Sequence, residues 1–190
     1  MKLSLCAALV LVPLAMASCA STKIEPAVYM HPNADLSVYE RVAVLPFENL
    51  TTERFAADRV RELLVVELSS KGLFEVVESG EVNRVLRTKS LVGASEVGPE
   101  LIQQLGKELN VQALLTGSVI EYREQRTGNL NTPDIALSLK LLDVETGLVI
   151  WSVTDARTGL GVWTRLFGVG EEDQTTAARK LIRDLLTTLG

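Results

Sequence analysis

The sequence predicts an α/β fold, in which a single compact domain of residues 41–190 packs helices on a small mixed sheet. Short apolar runs typical of strands alternate with segments whose apolar residues recur at helical spacing, in the order β-α-β-α-α-β-β-β-α. Two of these strands are joined by a tight turn, which requires an antiparallel pair. With 47% apolar residues, the chain can also fill a core.

The domain is predicted to begin with a buried strand and a helix. Residues 42–45 form an apolar run that is too short for a helix and suits a strand covered on both faces. After a turn at residues 48–51, Thr51 or Thr52 is the expected N-cap of a helix that Gly72 ends. The apolar positions of this helix are Ala57, Val60, Leu64 and Leu68.

One more strand and two more helices are predicted to follow. A strand at residues 74–78 precedes a short helix from about Gly80, and residues 91–98 are expected to form a loop. Pro99 then begins the next helix, because its missing N–H costs least in a first turn. Asn110 is expected to end that helix in a left-handed conformation. The inward-facing residues are Val82, Val85 and Leu86 in the first helix, and Leu101, Leu105 and Leu109 in the second.

The second half of the sheet is predicted to be a series of antiparallel strands. Residues 111–122 form a long apolar strand in which Gly117 indicates a bulge or a close backbone contact. The polar residues 121–134 are predicted to form a hairpin loop. Residues 135–144 alternate between two faces, as a strand does, with Ile135, Leu137, Leu139 and Leu141 on one of them.

A turn at residues 145–147 returns the chain as a strand over residues 148–153. The last helix is predicted to begin near Glu171, with acidic residues at its positive end. Its apolar stripe consists of Ala178, Leu181, Ile182, Leu185 and Leu189.

Residues 1–18, which precede the domain, are typical of a secretory signal peptide. Lys2 supplies the positive start, an apolar stretch follows, and small residues lead up to Cys19. A cysteine in this place resembles the lipobox of bacterial lipoproteins, although Met16 stands where that family usually has Leu. The resemblance implies that the Cys19 thiol carries a covalent lipid such as palmitate and becomes the first residue of the mature protein.

Two alternatives to lipidation are open. Ordinary cleavage after Ala17 would leave Cys19 as a free thiol. An uncleaved membrane anchor is disfavoured, because the apolar run is shorter than the ~20 residues of a spanning helix and contains Pro13.

Residues 19–40 are predicted to be the lipidated cysteine and a flexible tether. They show no clear period, and the 21 residues after the cysteine could reach about 70 Å if fully extended. In the lipoproteins that the chain resembles, an Asp after the cysteine holds the protein at the inner membrane. This chain has Ala20 there, so the resemblance implies the periplasmic face of the outer membrane.

The charge of the chain argues against a nucleic-acid-binding protein, and its cysteine content argues against a disulfide-bonded domain. Removal of the signal peptide takes away only Lys2, leaving 18 Lys and Arg against 24 Asp and Glu, a balance of −6. Such a surface has no electrostatic attraction for nucleic acid or for anionic lipid. The chain has two cysteines, Cys6 in the signal peptide and Cys19, so no disulfide is expected within the domain.

Three segments carry a family resemblance that covers about residues 41–151. They are VAVLPFENLT at residues 42–51, LGKELNVQALLTGSV at residues 105–119, and DVETG at residues 143–147 followed by Trp151. These segments resemble the superfamily that includes the curli-secretion lipoprotein CsgG, the penicillin-binding-protein activator LpoB and the amino-terminal domain of TolB.

The resemblance implies a non-catalytic assembly or docking module of an envelope system for secretion or cell-wall synthesis. Its expected partners are an envelope protein or other copies of the chain, and no small-molecule substrate or cofactor is expected beyond the lipid on Cys19. A subunit of a curli-type secretion channel is one alternative. A glycan-cleaving enzyme is another, because carboxylate pairs such as Glu78 and Glu81, or Glu96 and Glu100, could flank a glycosidic bond.

The residues themselves give no catalytic or metal site. His31 is the only histidine and lies in the predicted tether, so a Ser-His-Asp triad or a zinc site lacks its histidines. The candidate contact surface lies in residues 159–170, which are too apolar for a plain loop and too rich in glycine for a regular element. This segment could equally cover the open side of the sheet. Its candidate contact residues are Val162, Trp163, Leu166 and Phe167.

Overall fold

The computed structural model describes residues 26–89, 98–127, 130–158 and 173–190. These residues form a seven-stranded mixed sheet with helices on both faces, which confirms the predicted fold class. The strands are β1 (Ala27–Met30), β2 (Arg41–Val44), β3 (Glu48–Asn49), β4 (Glu75–Val76), β5 (Ala113–Thr127), β6 (Leu130–Asp143) and β7 (Val149–Thr158). The helices are α1 (Ala56–Lys71), α2 (Ser79–Thr88), α3 (Pro99–Leu109) and α4 (Gln174–Leu186).

The sheet has a parallel half and an antiparallel half. Its strand order is β1-β7-β6-β5-β2-β4, and β3 pairs with β5 beyond the end of β2. Strands β2, β3 and β4 run parallel to their neighbours, whereas β5, β6, β7 and β1 form a series of antiparallel pairs. Short 3-10 helices lie before β2 (Leu36–Val38) and after α4 (Thr187–Leu189).

One face of the sheet is covered by α1 and α4. The alternating residues of β6 that were predicted to share a face all lie in this larger core, and Trp151 of β7 is buried among them. The main residues that the helices contribute to this larger core are Val60, Leu64 and Leu68 of α1, and Ala178, Leu181, Ile182 and Leu185 of α4.

The other face is covered by α2 and α3 in a smaller core. Ala43 and Leu45 point to this side, between Val42 and Val44 of the larger core, so the first apolar run is buried on both faces as predicted. Gly106 lets α3 approach the sheet, because a Cβ there would overlap a methyl group of Val144. The residues that α2 and α3 contribute are Val82, Val85, Leu86, Ile102, Leu105 and Leu109.

The predicted helix ends depend on backbone conformation and are confirmed in three places. Gly72 ends α1 with a φ of 65°, and Asn110 ends α3 with a φ of 51°, both in the left-handed region. Pro99 is the first residue of α3. Gly117 makes the expected close contact, because its Cβ would lie 2.5 Å from the Ser138 carbonyl oxygen.

The start of α1 differs from the prediction. Phe55, not a threonine, occupies the N-cap, and the preceding turn includes the two-residue strand β3. The Thr51 hydroxyl donates to Asn49 Oδ1 at 2.8 Å and accepts from the Glu53 N–H at 3.1 Å. Thr51 therefore stabilises the loop before the helix, which delays the first helical turn to Ala56.

The predicted hairpin loop at residues 121–134 is wrong, because β5 and β6 continue through it as paired strands. The pairing reaches Thr127 and Leu130, after a register shift between Val119 and Glu121. Backbone hydrogen bonds extend a ladder whether or not its side chains are apolar, so a polar sequence does not end it.

The predicted tether is also wrong for residues 27–40. Strand β1 pairs with β7, Ala27 facing Thr154 and Met30 facing Trp151. The chain then crosses to β2, and Tyr39 is buried in the larger core. Its four residues form a short apolar run without alternation, and all four side chains are exposed, so neither a half-buried nor a fully buried strand was recognised there.

Candidate functional site

The predicted functional residues lie outside the described residues. This applies to Cys19 and to the contact residues Val162, Trp163, Leu166 and Phe167. They stay predictions, and a candidate site must be built from the part of the chain that the structure describes.

A groove between α1 and the long hairpin formed by β5 and β6 is the best candidate for a docking site. It has a volume of about 430 Å³, and Thr175 of α4 is one of its lining residues. Its apolar wall consists of Leu63, Val66 and Tyr122. Charged side chains of α1 lie along the rim, namely Asp58, Arg59 and Glu62.

The groove follows from the positions of apolar residues on α1. Leu63 is partly buried against the larger core, whereas Val66 is 58% exposed, so the apolar stripe continues beyond the part that the sheet covers. Tyr122 points to the same side from β5. Its burial raises the pKa of the phenol, and the neighbouring Arg59 guanidinium opposes that shift.

Further apolar side chains are exposed where β3 meets β5. Leu50 donates its N–H to the Val119 carbonyl, which places it beside Ile120 at the bulge, and both side chains are exposed. Phe55 is exposed at the start of α1, with the Arg54 guanidinium 5.3 Å from its ring centroid. Aromatic and arginine side chains of this kind are enriched at protein interfaces.

A second cleft, of about 530 Å³, lies at the opposite end of the sheet beside Tyr39 and Asp143. The Tyr39 hydroxyl donates to Asp143 Oδ1 at 3.3 Å, while Oδ2 accepts from the N–H and the hydroxyl of Thr146. Burial and the Asp143 charge raise the pKa of Tyr39 to about 12. Both oxygens of Asp143 are engaged within the fold, so these groups stabilise the turn and the segment before β2.

Two buried charged side chains also have structural partners. Glu67 of α1 accepts from Arg179 Nε at 2.9 Å and from Arg183 Nε at 2.6 Å, which ties α1 to α4. Arg61 donates to the Val44 carbonyl oxygen through Nε at 3.1 Å and Nη2 at 2.7 Å. A third buried charge, Asp134 of β6, accepts from Arg123 Nε at 3.0 Å and Nη2 at 2.8 Å, so each of these three charges has a partner within the fold.

The described residues contain no group of three or more His, Cys, Asp and Glu side chains placed to hold a metal ion. His31 accepts a hydrogen bond from the Asn33 N–H at 3.2 Å in an exposed turn. None of the helices in this part of the chain has the length and hydrophobicity to cross a membrane.

Sequence reasoning missed the groove, although part of its signal was present. Leu63 and Val66 are apolar residues beside the stripe that the sequence assigned to the core of α1. Tyr122 was placed at the end of a strand, with a loop expected to follow. The sequence had no signal that would bring Tyr122 of β5 and Thr175 of α4 beside this face of α1.

Comparison with solved structures finds chains that are similar to this one over most of their length, among them the following two. A PelC dodecamer from Paraburkholderia phytofirmans shares 23% identity and covers 86% of this chain and 95% of its own, with a TM-score of 0.58. Lipoprotein GNA1162 from Neisseria meningitidis shares 15% identity and covers 79% and 97%, with a TM-score of 0.56. These similarities establish the fold.

The comparison with curated proteins finds no match. A family model described as peptidoglycan-synthase activator LpoB matches residues 12–157. The match includes all three segments that carried the sequence resemblance, and it spans well over half of the chain. The chain therefore belongs to the LpoB family of peptidoglycan-synthase activators.

Proposed function

We propose that the chain is an outer-membrane lipoprotein, acylated on Cys19, whose domain is a non-catalytic docking module facing the periplasm. The observation that carries this proposal is the family match, which begins within the signal peptide, includes Cys19 and continues to β7. A family described as activating a synthase acts on another protein, so the function of the domain is to present a binding surface.

The groove between α1 and the hairpin supports this docking role. An apolar wall with a charged rim is the arrangement found in interfaces that form and separate. The apolar centre of such an interface excludes water, while its rim stays hydrated. The acidic and basic side chains of the rim alternate along α1 from Asp58 through Arg59 to Glu62. Such a rim favours a partner with charges of both signs, either an envelope protein or another copy of the chain.

Self-association is the second form of this proposal. It is supported by PelC, which is described as a dodecamer and whose chain this fold covers almost completely. Native mass spectrometry of detergent-extracted protein distinguishes the two forms. A monomer that co-purifies with a different envelope protein supports docking, whereas a large ring supports self-association or a subunit of a secretion channel.

The lipid anchor is tested with a matched pair of cysteine variants. Cells are grown with an alkyne-labelled fatty acid, and the label on the protein is measured for Cys19→Ser and Cys6→Ser. We expect the label to be lost only in Cys19→Ser, because Cys6 lies in the segment that is removed. A mature protein that begins at Ser18 without lipid would contradict the anchor.

The docking surface is tested by crosslinking in native cells. Val66→Asp places a charge in the groove, and Leu148→Asp places the same charge at a similarly exposed apolar position, 53% accessible, in the turn before β7. We expect Val66→Asp to lose its crosslinked partner and Leu148→Asp to retain it. Equal loss in both variants, or release of fragments from purified cell wall by the protein alone, would exclude a docking role at this groove.

A further inference from the structure

The structure shortens the connection between the domain and Cys19. Strand β1 begins at Ala27, so seven residues separate the cysteine from the sheet. Eight steps of chain extend at most about 28 Å, at ~3.3–3.6 Å each, and a flexible coil of this length averages roughly 16 Å. The predicted tether of 21 residues would have allowed about 70 Å. Strand β1 must therefore stay close to wherever Cys19 is anchored.

Strand β1 is also an open edge of the sheet. Among the described residues it pairs only with β7, and the side chains of Val28, Tyr29 and Met30 are 45%, 47% and 38% exposed. The His31 N–H donates to the Ile150 carbonyl. Because bonded residues alternate along an antiparallel pair, the N–H and C=O groups of Val28 and Met30 point away from β7.

The two edges of the sheet differ in chemistry. At the other edge, Glu75 of β4 forms an ion pair with Arg41 at 3.0 Å. The β1 edge instead presents Val28, Met30, a tyrosine and backbone polar groups that have no strand partner among the described residues. A tyrosine among apolar neighbours suits the boundary between lipid and water, where the ring is partly buried and the hydroxyl stays hydrated.

We propose that the β1 edge, formed by Val28, Tyr29 and Met30, is the side of the domain that rests on the headgroup surface of the bilayer. This inference rests on the proposed acylation of Cys19. The lipid on Cys19 holds the edge within a few nanometres of the surface, and the headgroups and their water satisfy the outward-pointing backbone groups. The groove beside α1 then lies over the far half of the sheet and stays open to the periplasm.

This orientation sets where a partner can be. A domain on so short a connection reaches only a partner located at, or extending to, the membrane that holds Cys19. The partner class is therefore a membrane-surface protein or neighbouring copies of the chain on the same bilayer.

The orientation is tested with acylated full-length protein in vesicles of phosphatidylethanolamine and phosphatidylglycerol. The mature chain has no cysteine besides Cys19, so Tyr29→Cys and Glu75→Cys each accept one fluorophore. Quenching by lipids that carry a nitroxide on the headgroup is then compared. We expect at least about threefold stronger quenching at position 29, because five strand spacings separate the two edges by ~24 Å.

Two further variants make the comparison complete. Val28→Cys replaces Tyr29→Cys if that substitution disturbs the edge, and it is expected to be quenched as strongly. An insertion of fifteen Gly and Ser residues after Ser21 lengthens the connection, and we expect it to lower the quenching at position 29 at least about twofold by letting the domain move away.

The outcomes of the quenching experiment distinguish failure of the lipid anchor from failure of the proposed orientation. Protein that does not float with the vesicles contradicts the proposed lipid anchor itself. Protein that floats but is quenched equally at both positions, or more at position 75, overturns the orientation and leaves the anchor intact. Disulfide-linked dimers of Tyr29→Cys without quenching would show that a second copy covers the edge, which also overturns the proposal.

Discussion

The parallel and antiparallel halves of the sheet differ in the length and the burial of their strands. In the parallel half, β2, β3 and β4 are only two to four residues long, and the core strand β2 is buried on both faces. In the antiparallel half, β5, β6 and β7 have 15, 14 and 10 residues, and the end of the β5–β6 hairpin is polar. The difference shows that burial locates the core strand β2, whereas backbone pairing decides how far the long strands run.

The most direct test of this difference compares substitutions at two positions on one strand. Leu115 of β5 is fully buried beside β2, and Gln125, ten residues on, is exposed in the hairpin. We expect Leu115→Ala to lower the free energy of unfolding by about 2–5 kcal/mol through the cavity it leaves. Gln125→Ala should change it by less than about 0.5 kcal/mol. Urea denaturation measures both, and similar losses would show that the hairpin belongs to the core.

The contact of α3 with the sheet gives the next largest effect. Gly106→Ala places a methyl group against Val144, and we expect a loss of about 1–3 kcal/mol from overpacking. The double variant Gly106→Ala with Val144→Ala should recover part of that loss, because the smaller side chain makes room. Thermal unfolding of the two variants and the wild type provides the check. A loss that Val144→Ala does not relieve would point to the helix backbone instead.

The two halves are joined by Glu67, which ties α1 to α4. Hydrogen bonds from Arg183 hold the pKa of Glu67 below its usual 4.5, with burial opposing them and Arg179 adding to them. This contribution to stability is present above pH 4.5 and is lost as the pH falls through the lowered value.

We therefore expect Glu67→Gln to lower the free energy of unfolding at pH 7 by about 1–2 kcal/mol, since the carboxylate charge is lost and the amide NH2 group that replaces one oxygen cannot accept a hydrogen bond from an arginine. Its stability should then fall less steeply than that of the wild type below pH 4.5. Denaturation at a series of pH values tests this, and parallel curves for the two proteins would exclude the assignment to Glu67.

The smallest effect is expected from the polar pair that crosses the hairpin. Arg123 Nη2 donates to Asp134 Oδ2 at 2.8 Å, and Arg123 is itself exposed. Arg123→Gln should lower the free energy of unfolding by no more than about 1 kcal/mol, because the exposed guanidinium contributes little and Gln can still donate a hydrogen bond to the buried Asp134 carboxylate. Amide hydrogen exchange should become faster in residues 121–126 and stay unchanged in residues 113–117. Uniformly faster exchange along β5 would show that the hairpin and the core unfold together.

The same contrast explains what the sequence could predict. Strand β2, helices α2 and α3, the apolar alternation of β6 and the ends of α1 and α3 follow from periodicity and from Gly72, Pro99 and Asn110. Each of these signals arises from side chains or from a backbone conformation that particular residues favour. The predicted order of elements is confirmed, with β1 and β3 as additions.

The features that were missed are those held by backbone hydrogen bonds. Strand β1 is a short apolar run and the hairpin beyond Tyr122 is polar, so neither shows the alternation of apolar and polar residues that marks a half-buried strand. The groove was missed because it forms where α1, Tyr122 of β5 and Thr175 of α4 meet, and their tertiary arrangement is not encoded in a local pattern. The residues predicted to carry function, Cys19 and the four from Val162 to Phe167, lie outside the described part and stay predictions.

The pairing of β1 with β7 also has a consequence for the timing of folding. Ala27 faces Thr154, a residue 127 positions later, so β1 can pair only after most of the chain, including β7, has been synthesised. Contacts between residues so distant in sequence form slowly, since a long loop must close before they contribute. A polypeptide threaded across a membrane from its N-terminus would thus emerge without a finished sheet, and its leading strand would be secured only when translocation is nearly over.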